Sequence, residues 1–196
     1  MAVSSLKNKS KLSTLTAPFD IDLGGMIPLS TFTATSNTAT VTFSDIPQNY
    51  EHLQVRITAR DSRTTANGDE VRFTFNSDTS SNYALHELSG NGSSASSNAG
   101  TNQAYIGINR IAADGATSSI FGTIIMDILD YSNTNKFKTV RALGGADWNG
   151  SGEIYFSSGL WRSTSAISSI TMIGGNNNNF KQYSSFALYG IKRAGA

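Results

Sequence analysis

The sequence predicts an all-β protein, an antiparallel β-sandwich with jelly-roll-like crossovers and an extended N-terminal arm. The clearest strand is 52–60, where Leu53, Val55, Ile57 and Ala59 alternate with polar residues, as in a strand with one buried face. Similar short segments recur along the chain, and no segment of helical length has a sustained 3.6-residue apolar period. Many short strands separated by turn residues are typical of β-sandwiches.

The segment 119–143 is the predicted centre of this sandwich. Its first half is the most continuously apolar part of the chain, and its apolar residues fall on both strand parities. A strand that is apolar on both faces is expected to be buried on both faces. The residues Ser-Asn-Thr-Asn at 132–135 then favour a turn, so we predict a central hairpin.

The other predicted strands follow the same alternation and are separated by polar segments. We expect one hairpin between 32–34 and 39–43, across a Ser-Asn turn. We expect another at Asn67-Gly68, a dipeptide that two-residue hairpin turns favour. Three polar loops are predicted, at 89–103, 144–152 and 174–182.

Residues 1–30 differ in pattern from the body at 31–196, and we predict that they form an assembly or anchoring arm. Their basic residues alternate with small polar ones, and apolar residues follow at spacings that include period two. Two interpretations stay open: a frayed terminus, or an apolar arm that docks onto another subunit by strand addition. The arm residues that we single out are Lys7, Lys9, Lys11, Leu12, Leu15, Phe19, Ile21 and Leu23.

The amino-acid composition excludes several classes of function. The chain has 196 residues, no cysteine, two histidines and a formal net charge of +1. Disulfides and thiolate metal sites are therefore impossible, and no broad basic face for nucleic acid is indicated. The N-terminus lacks the apolar core of a secretory signal, and no apolar segment is long enough to cross a bilayer. We expect a protein made in a cytoplasm, with no cofactor and no membrane partner.

No catalytic constellation is predicted. His52 and His86 are the available bases for a serine triad, and neither accompanies a nucleophile-elbow motif. Asp127 and Asp130 fall on opposite parities of one strand, so they do not face each other across a substrate. We expect these two carboxylates to bond backbone N–H groups or nearby lysines. A calcium loop at Asp78 lacks the regular ligand spacing.

The candidate ligand-facing residues are Asp147, Trp148 and Asn149, together with Asn177 and Asn178. Trp148 lies in a glycine-rich segment that has little potential to form a core. An exposed indole flanked by Asp and Asn suits a sugar ring, through stacking and hydrogen bonds to hydroxyls. The alternative is that Trp148 closes one end of the sandwich. We expect Trp161, at a strand end, to be in the core.

Four strings give the chain a family resemblance: FNSDTSSNY at 75–83, DILDYSNTNK at 127–136, SGLW at 158–161 and SSFALYGIK at 184–192. Together with the opening MAVSSLKNKS and with FSDIPQNYEHLQVR, they resemble small structural proteins of bacteriophages, especially cyanobacterial and other aquatic phages. The resemblance implies a virion component with a jelly-roll-like β domain, as is also seen at the ends of tail fibres. It implies no catalytic residues.

The expected function is therefore that of a non-enzymatic phage virion protein, arranged as a homotrimer. Its arm would attach to the tail or baseplate, and its β body would face outward as a fibre or adhesin module that binds host-surface glycan. The alternative is a capsid decoration protein that contacts the major capsid protein. A polysaccharide depolymerase is the remote third alternative.

Overall fold

The computed structural model describes residues 25–193, which fold into twelve β-strands and a short 3-10 helix. Within this range there is no α-helix, so the all-β prediction is confirmed. The strands are β1 (Met26–Thr33), β2 (Thr40–Phe43), β3 (His52–Asp61), β4 (Gly68–Phe75), β5 (Tyr83–Gly90), β6 (Ala95–Gln103), β7 (Ile106–Ala113), β8 (Gly122–Leu129), β9 (Lys138–Asp147), β10 (Gly152–Trp161), β11 (Ile170–Gly174) and β12 (Ser185–Ile191).

The strands form two layers that pack face to face. Sheet A has the order β1-β12-β3-β8-β9-β10-β5-β6, and sheet B has the order β2-β11-β4-β7. The end of β3 joins them, because Arg60 and Asp61 pair in parallel with Ala112 and Ala113 of β7. This short pairing is parallel, while every other strand pair of the predicted β-sandwich is antiparallel. The jelly-roll crossovers stay a prediction.

Two predicted hairpins do not form. β1 pairs with β12 and β2 pairs with β11, although the Ser-Asn turn between β1 and β2 was expected to join them. Likewise β3 and β4 lie in different sheets despite the Asn67-Gly68 turn. Turn chemistry specifies that the chain reverses, but the choice of a strand partner depends on which apolar faces can be buried together. The central hairpin of β8 and β9 is confirmed, with Leu129 opposite Thr139.

Two segments predicted as loops are partly strands. β6 occupies most of 89–103 and is exposed along nearly its whole length, so it has no apolar alternation to reveal it. β9 extends to Asp147, into the predicted loop 144–152. Its Gly144 lies under β7, where a Cβ would stand 1.9 Å from the carbonyl oxygen of Asn109. Gly144 therefore permits close packing of the two sheets and does not mark a flexible loop.

The core lies between the two sheets. Phe75, Tyr83 and Trp161 form an aromatic cluster at one end, in which the rings of Phe75 and Trp161 meet edge to face at 5.6 Å. The prediction that Trp161 is a core residue is confirmed, since 2% of it is exposed. The burial of these apolar side chains between the sheets is the main favourable contribution to the folding of the sandwich.

The predicted arm lies almost entirely outside the described residues, and this includes Lys7, Lys9, Lys11, Leu12, Leu15, Phe19, Ile21 and Leu23. The predicted boundary at residue 30 falls inside β1. Met26 of β1 pairs with Ile191 of β12, so sheet A begins before that boundary.

Candidate functional site

The most unusual surface of the described chain is the outside of sheet A, on the strands that were predicted to be central. Four apolar side chains lie there in cross-strand register, one each from β8, β9, β10 and β5. They are Ile125 (44% exposed), Leu143 (49%), Phe156 (52%) and Leu88 (56%), and we call them the outer row. The prediction that the central strand is buried on both faces is therefore wrong for this chain alone, because its second face has no covering layer.

Beside the outer row is an open basin of about 720 Å³. Its walls are apolar and are formed by Phe121, Ile125, Leu143 and Ile154. Glycines of β5, β9 and the β9–β10 turn form its bottom, where no side chains fill the space. Asp147 lies on its rim. The basin is shallow and wide, a shape that suits a flat partner better than an enclosed small molecule.

A polar row follows on the other side of the outer row. Asp127 of β8 lies opposite Arg141 of β9, Arg141 lies opposite Ser158 of β10, and Ser158 lies opposite His86 of β5. The Asp127 carboxylate also accepts a hydrogen bond of 2.8 Å from the Gln54 side chain. The outside of sheet A thus carries an apolar stripe next to a stripe with both signs of charge.

The predicted ligand-facing residues of the β9–β10 turn are present at one end of this face. Asp147 and Asn149 are exposed, and the Asp147 carboxylate accepts a 2.7 Å hydrogen bond from the backbone N–H of Asn149. Trp148 is partly buried, and its indole N–H is inaccessible to water and has no hydrogen-bond partner in the described chain. This burial agrees with the interpretation that Trp148 closes an end of the sandwich, and it leaves little of the indole available for stacking.

Asn177 and Asn178 belong to a different part of the molecule, after β11. The Asn178 side chain donates to the Asp69 carboxylate at 3.2 Å and to the carbonyl of Gly175 at 2.7 Å, so it fastens the loop to β4. Asn177 is exposed with a φ of 62°, a backbone region that asparagine tolerates. No hydrogen bond in residues 25–193 connects these two asparagines with the β9–β10 turn.

Next to Asn178 is a buried pair of carboxyl groups. Asp61 is fully buried, and one of its oxygens accepts a 3.1 Å bond from the backbone N–H of Arg63 while the other has no partner among the described residues. Burial, reinforced by the neighbouring Asp69 carboxylate, raises the pKa of Asp61 to about 7. The Arg63 guanidinium lies 3.3 Å from Asp69 and compensates that charge. These groups hold the ends of β3 and β4 to the loop after β11.

One surface cluster has the residue types of a cation site: Glu51, His52 and Asp130. Its atoms are already engaged, because the His52 Nδ1 accepts a 3.0 Å bond from the backbone N–H of Asp130. The Asp130 carboxylate pairs with Lys136, and this hydrogen bond lowers its pKa. The expected structural role of Asp130 beside the turn is thus confirmed. Lys138, in contrast, is buried and donates to three backbone carbonyls.

Asp78, the candidate calcium ligand, is also a structural group. Its carboxylate accepts bonds from the Asn82 side chain at 3.0 Å, from the Trp161 indole at 2.8 Å and from the backbone N–H of Ser80 at 2.9 Å. The bond from Asn82, with those from Trp161 and Ser80, lowers the pKa of Asp78 to about 2. Both carboxylate oxygens are therefore occupied in fixing β10 to the turn after β4.

No family model matches the chain, and no curated protein or solved structure matches it. Within 25–193 the structure contains no helix of the length and apolarity needed to cross a membrane. The outer row was missed from the sequence, although a signal existed. Each strand of the outer row has an apolar residue on the face where its alternation predicts polar ones, and these residues are Ile125, Leu143, Phe156 and Leu88. Four such residues in one sheet indicate an apolar second face.

Proposed function

We propose that this protein is a non-enzymatic structural component of a bacteriophage particle, and that it is built into the particle through the outer row. The phage origin rests on the sequence strings that resemble small virion proteins. The assembly role rests on the outer row: four large apolar side chains, each about half exposed and in register, in the middle of sheet A. Contiguous apolar surface of this kind marks interaction sites in soluble proteins.

The first position that we propose is the tail or baseplate, with the β9–β10 end facing host-surface glycan. Exposed Asp147 and Asn149 stand beside the basin and offer a carboxylate and an amide to sugar hydroxyls. The homotrimer expected from the sequence stays a prediction.

A second position, capsid decoration, is favoured by where the outer row lies. A module that projects from a tail leaves its body in solvent, whereas a decoration protein lies against the shell with its body covered. The outer row belongs to the body and not to the N-terminal arm. Burial of these side chains against a neighbouring subunit of the shell would stabilise it by roughly 25 cal/mol for each Å² of apolar surface removed from water.

Quantitative mass spectrometry of purified phage particles tests the proposal and separates the two positions. Hundreds of copies of the chain per particle support decoration, and a few to tens support the tail. Complementation with a Leu143→Gln/Phe156→Gln variant should reduce incorporation. A Phe137→Gln variant is the matched control, because Phe137 is also about half exposed but lies in the β8–β9 turn. Absence of the chain from particles contradicts the proposal.

A glycan array tests the receptor-binding part. We expect the wild-type protein to bind at least one host-surface glycan and Asp147→Ala to lose most of that signal. Asn135→Ala is the control, since Asn135 is equally exposed at the opposite end of sheet A. No binding by the wild type, or equal binding by Asp147→Ala, removes the glycan function and leaves the structural role.

A further inference from the structure

We propose that a second copy of this chain covers the outer row, in a two-fold symmetric contact whose axis runs parallel to β9 and β10 and between them. This inference rests on the assembly role proposed above and names the partner of the same surface. In a two-fold contact one patch meets its own copy, so the patch must be complementary to itself. The outer face of sheet A meets that condition in both its apolar and its polar residues.

The outer row is symmetric about the boundary between β9 and β10. Leu143 and Ile125 lie on one side of it, and Phe156 and Leu88 lie on the other, all in one register. Rotation by a half-turn about this axis places Leu143 over the partner's Phe156 and Ile125 over the partner's Leu88. Every exposed apolar side chain of the row then meets another apolar side chain.

The polar row matches under the same rotation. Asp127 comes to lie over the partner's His86, and Arg141 over the partner's Ser158, so a carboxylate faces an imidazole, while the two Arg141 residues flank the axis and each lies opposite Asp127 of its own chain. A half-turn about an axis along the outer row itself would instead place Arg141 over the partner's Gly145. Charge complementarity therefore selects the axis along the strands, since unmatched charges in an interface cost free energy.

The size of the face suits such a contact. Five neighbouring strands about 4.8 Å apart and three rows about 6.7 Å apart give a plane of roughly 24 by 20 Å. Each face then has a planar area of roughly 480 Å², below the about 800 Å² that each partner buries in a standard stable interface, so it suits a contact that forms reversibly with protein concentration. Stacked sheets lie about 10 Å apart, and their strands usually cross at about 30°, so contacts are closest near the axis.

The first experiment measures the mass of the full chain in solution by light scattering and sedimentation. We expect twice 20.9 kDa for the wild-type protein, in place of the homotrimer expected from the sequence. The Leu143→Gln/Phe156→Gln variant should have half that mass, because both residues lie next to the axis. Phe137→Gln should keep the two-chain mass, since Phe137 has the same exposed fraction as Leu143 but lies outside the face.

The second experiment tests the axis, and it uses the absence of native cysteine from the chain. Two single-cysteine proteins are made, Ile125→Cys and Leu88→Cys, and each is treated with a short bis-maleimide, alone and in an equal mixture. In the proposed contact Ile125 lies about 10 Å from the partner's Leu88 but about 17 Å from the partner's Ile125. A cross-linked dimer should therefore form in the mixture, and none should form when either variant is treated alone.

Each outcome of these two experiments either supports or overturns the two-fold contact. A two-chain mass that the double variant abolishes, with cross-linking only in the mixture, supports the proposal. A single-chain mass overturns it, and so does a three-chain mass or a dimer that the double variant leaves intact. Incorporation into phage particles is a separate readout. A single-chain mass for a protein that is still found in particles removes the two-fold contact and keeps the proposed function.

Discussion

The two faces of sheet A at β8, β9 and β10 both carry apolar residues, but only one of these faces is buried. Ile124 points into the sandwich and is fully buried, while its neighbour Ile125 points outward and is 44% exposed. On β9, Val140 and Ala142 are buried in the same way, while Leu143 is half exposed. Apolar character alone therefore does not tell whether a face is covered by its own chain or by another molecule. The uncovered face is the one that we assign to assembly.

Matched alanine variants of Ile124 and Ile125 should give the largest difference. Ile124→Ala is expected to lower the free energy of unfolding by about 3 kcal/mol, because it leaves a cavity between the sheets. Ile125→Ala should cost less than about 1 kcal/mol in dilute protein, since its side chain already contacts water. Urea unfolding at low protein concentration measures both. Equal losses would mean that the outer face is covered within the single chain.

Gly144→Ala tests how closely the inner layers approach. An added methyl group at this position would stand 1.9 Å from the carbonyl oxygen of Asn109, so β7 must move away from sheet A. We expect a loss of about 2 kcal/mol, the usual magnitude for overpacking a core. Gly25→Ala is the control, because nothing lies within 4 Å of its added Cβ. Equal denaturation midpoints for the two variants would contradict the packing described above.

Asp61→Asn should give the smallest effect of the three, and one that depends on pH. Burial raises the pKa of Asp61 to about 7, so the folded protein holds a proton that the unfolded chain releases at lower pH. The wild type is therefore expected to lose stability, on the order of 1 kcal/mol or more, as the pH rises from 5 to 8. This loss should be absent from Asp61→Asn.

Asp78→Asn is the control for that pH profile. The hydrogen bond from Asn82, with those from Trp161 and Ser80, holds the pKa of Asp78 at about 2. This carboxylate stays ionised throughout the range from pH 5 to 8, so its replacement should lower stability by a constant amount. Parallel profiles for the wild type and Asp61→Asn would show that the Asp61 carboxyl is ionised in the folded protein throughout this range.

Sequence reasoning found the fold class and most strands because period-two alternation reports burial directly. It found β3 at His52–Asp61 and the central hairpin, whose alternation or apolar content is strong. It missed β6, whose polar sequence carries no periodic signal. It also placed Gly144 in a loop, because its role in close packing of the sheets depends on β7, which is distant in sequence.

The candidate site could be predicted only in part for the same reason. Asp147 and Asn149 were recognised as surface residues of a turn, and they are exposed. The asparagine-rich segment predicts an open loop around Asn178, yet the Asn178 amide donates a hydrogen bond to Asp69 of β4. Such a contact joins residues far apart in the chain, and no local pattern reports it.

The sequence by itself determined that this chain forms strands, that apolar residues occupy both faces of the central ones, and that disulfides are excluded. Tertiary structure alone decided which of those faces another layer would cover. A strand's alternation is a local property, whereas the register that aligns Ile125, Leu143, Phe156 and Leu88 arises from two consecutive hairpins and from the pairing of β10 with β5, which lies far earlier in the chain. The outer row exists only once those pairings are made.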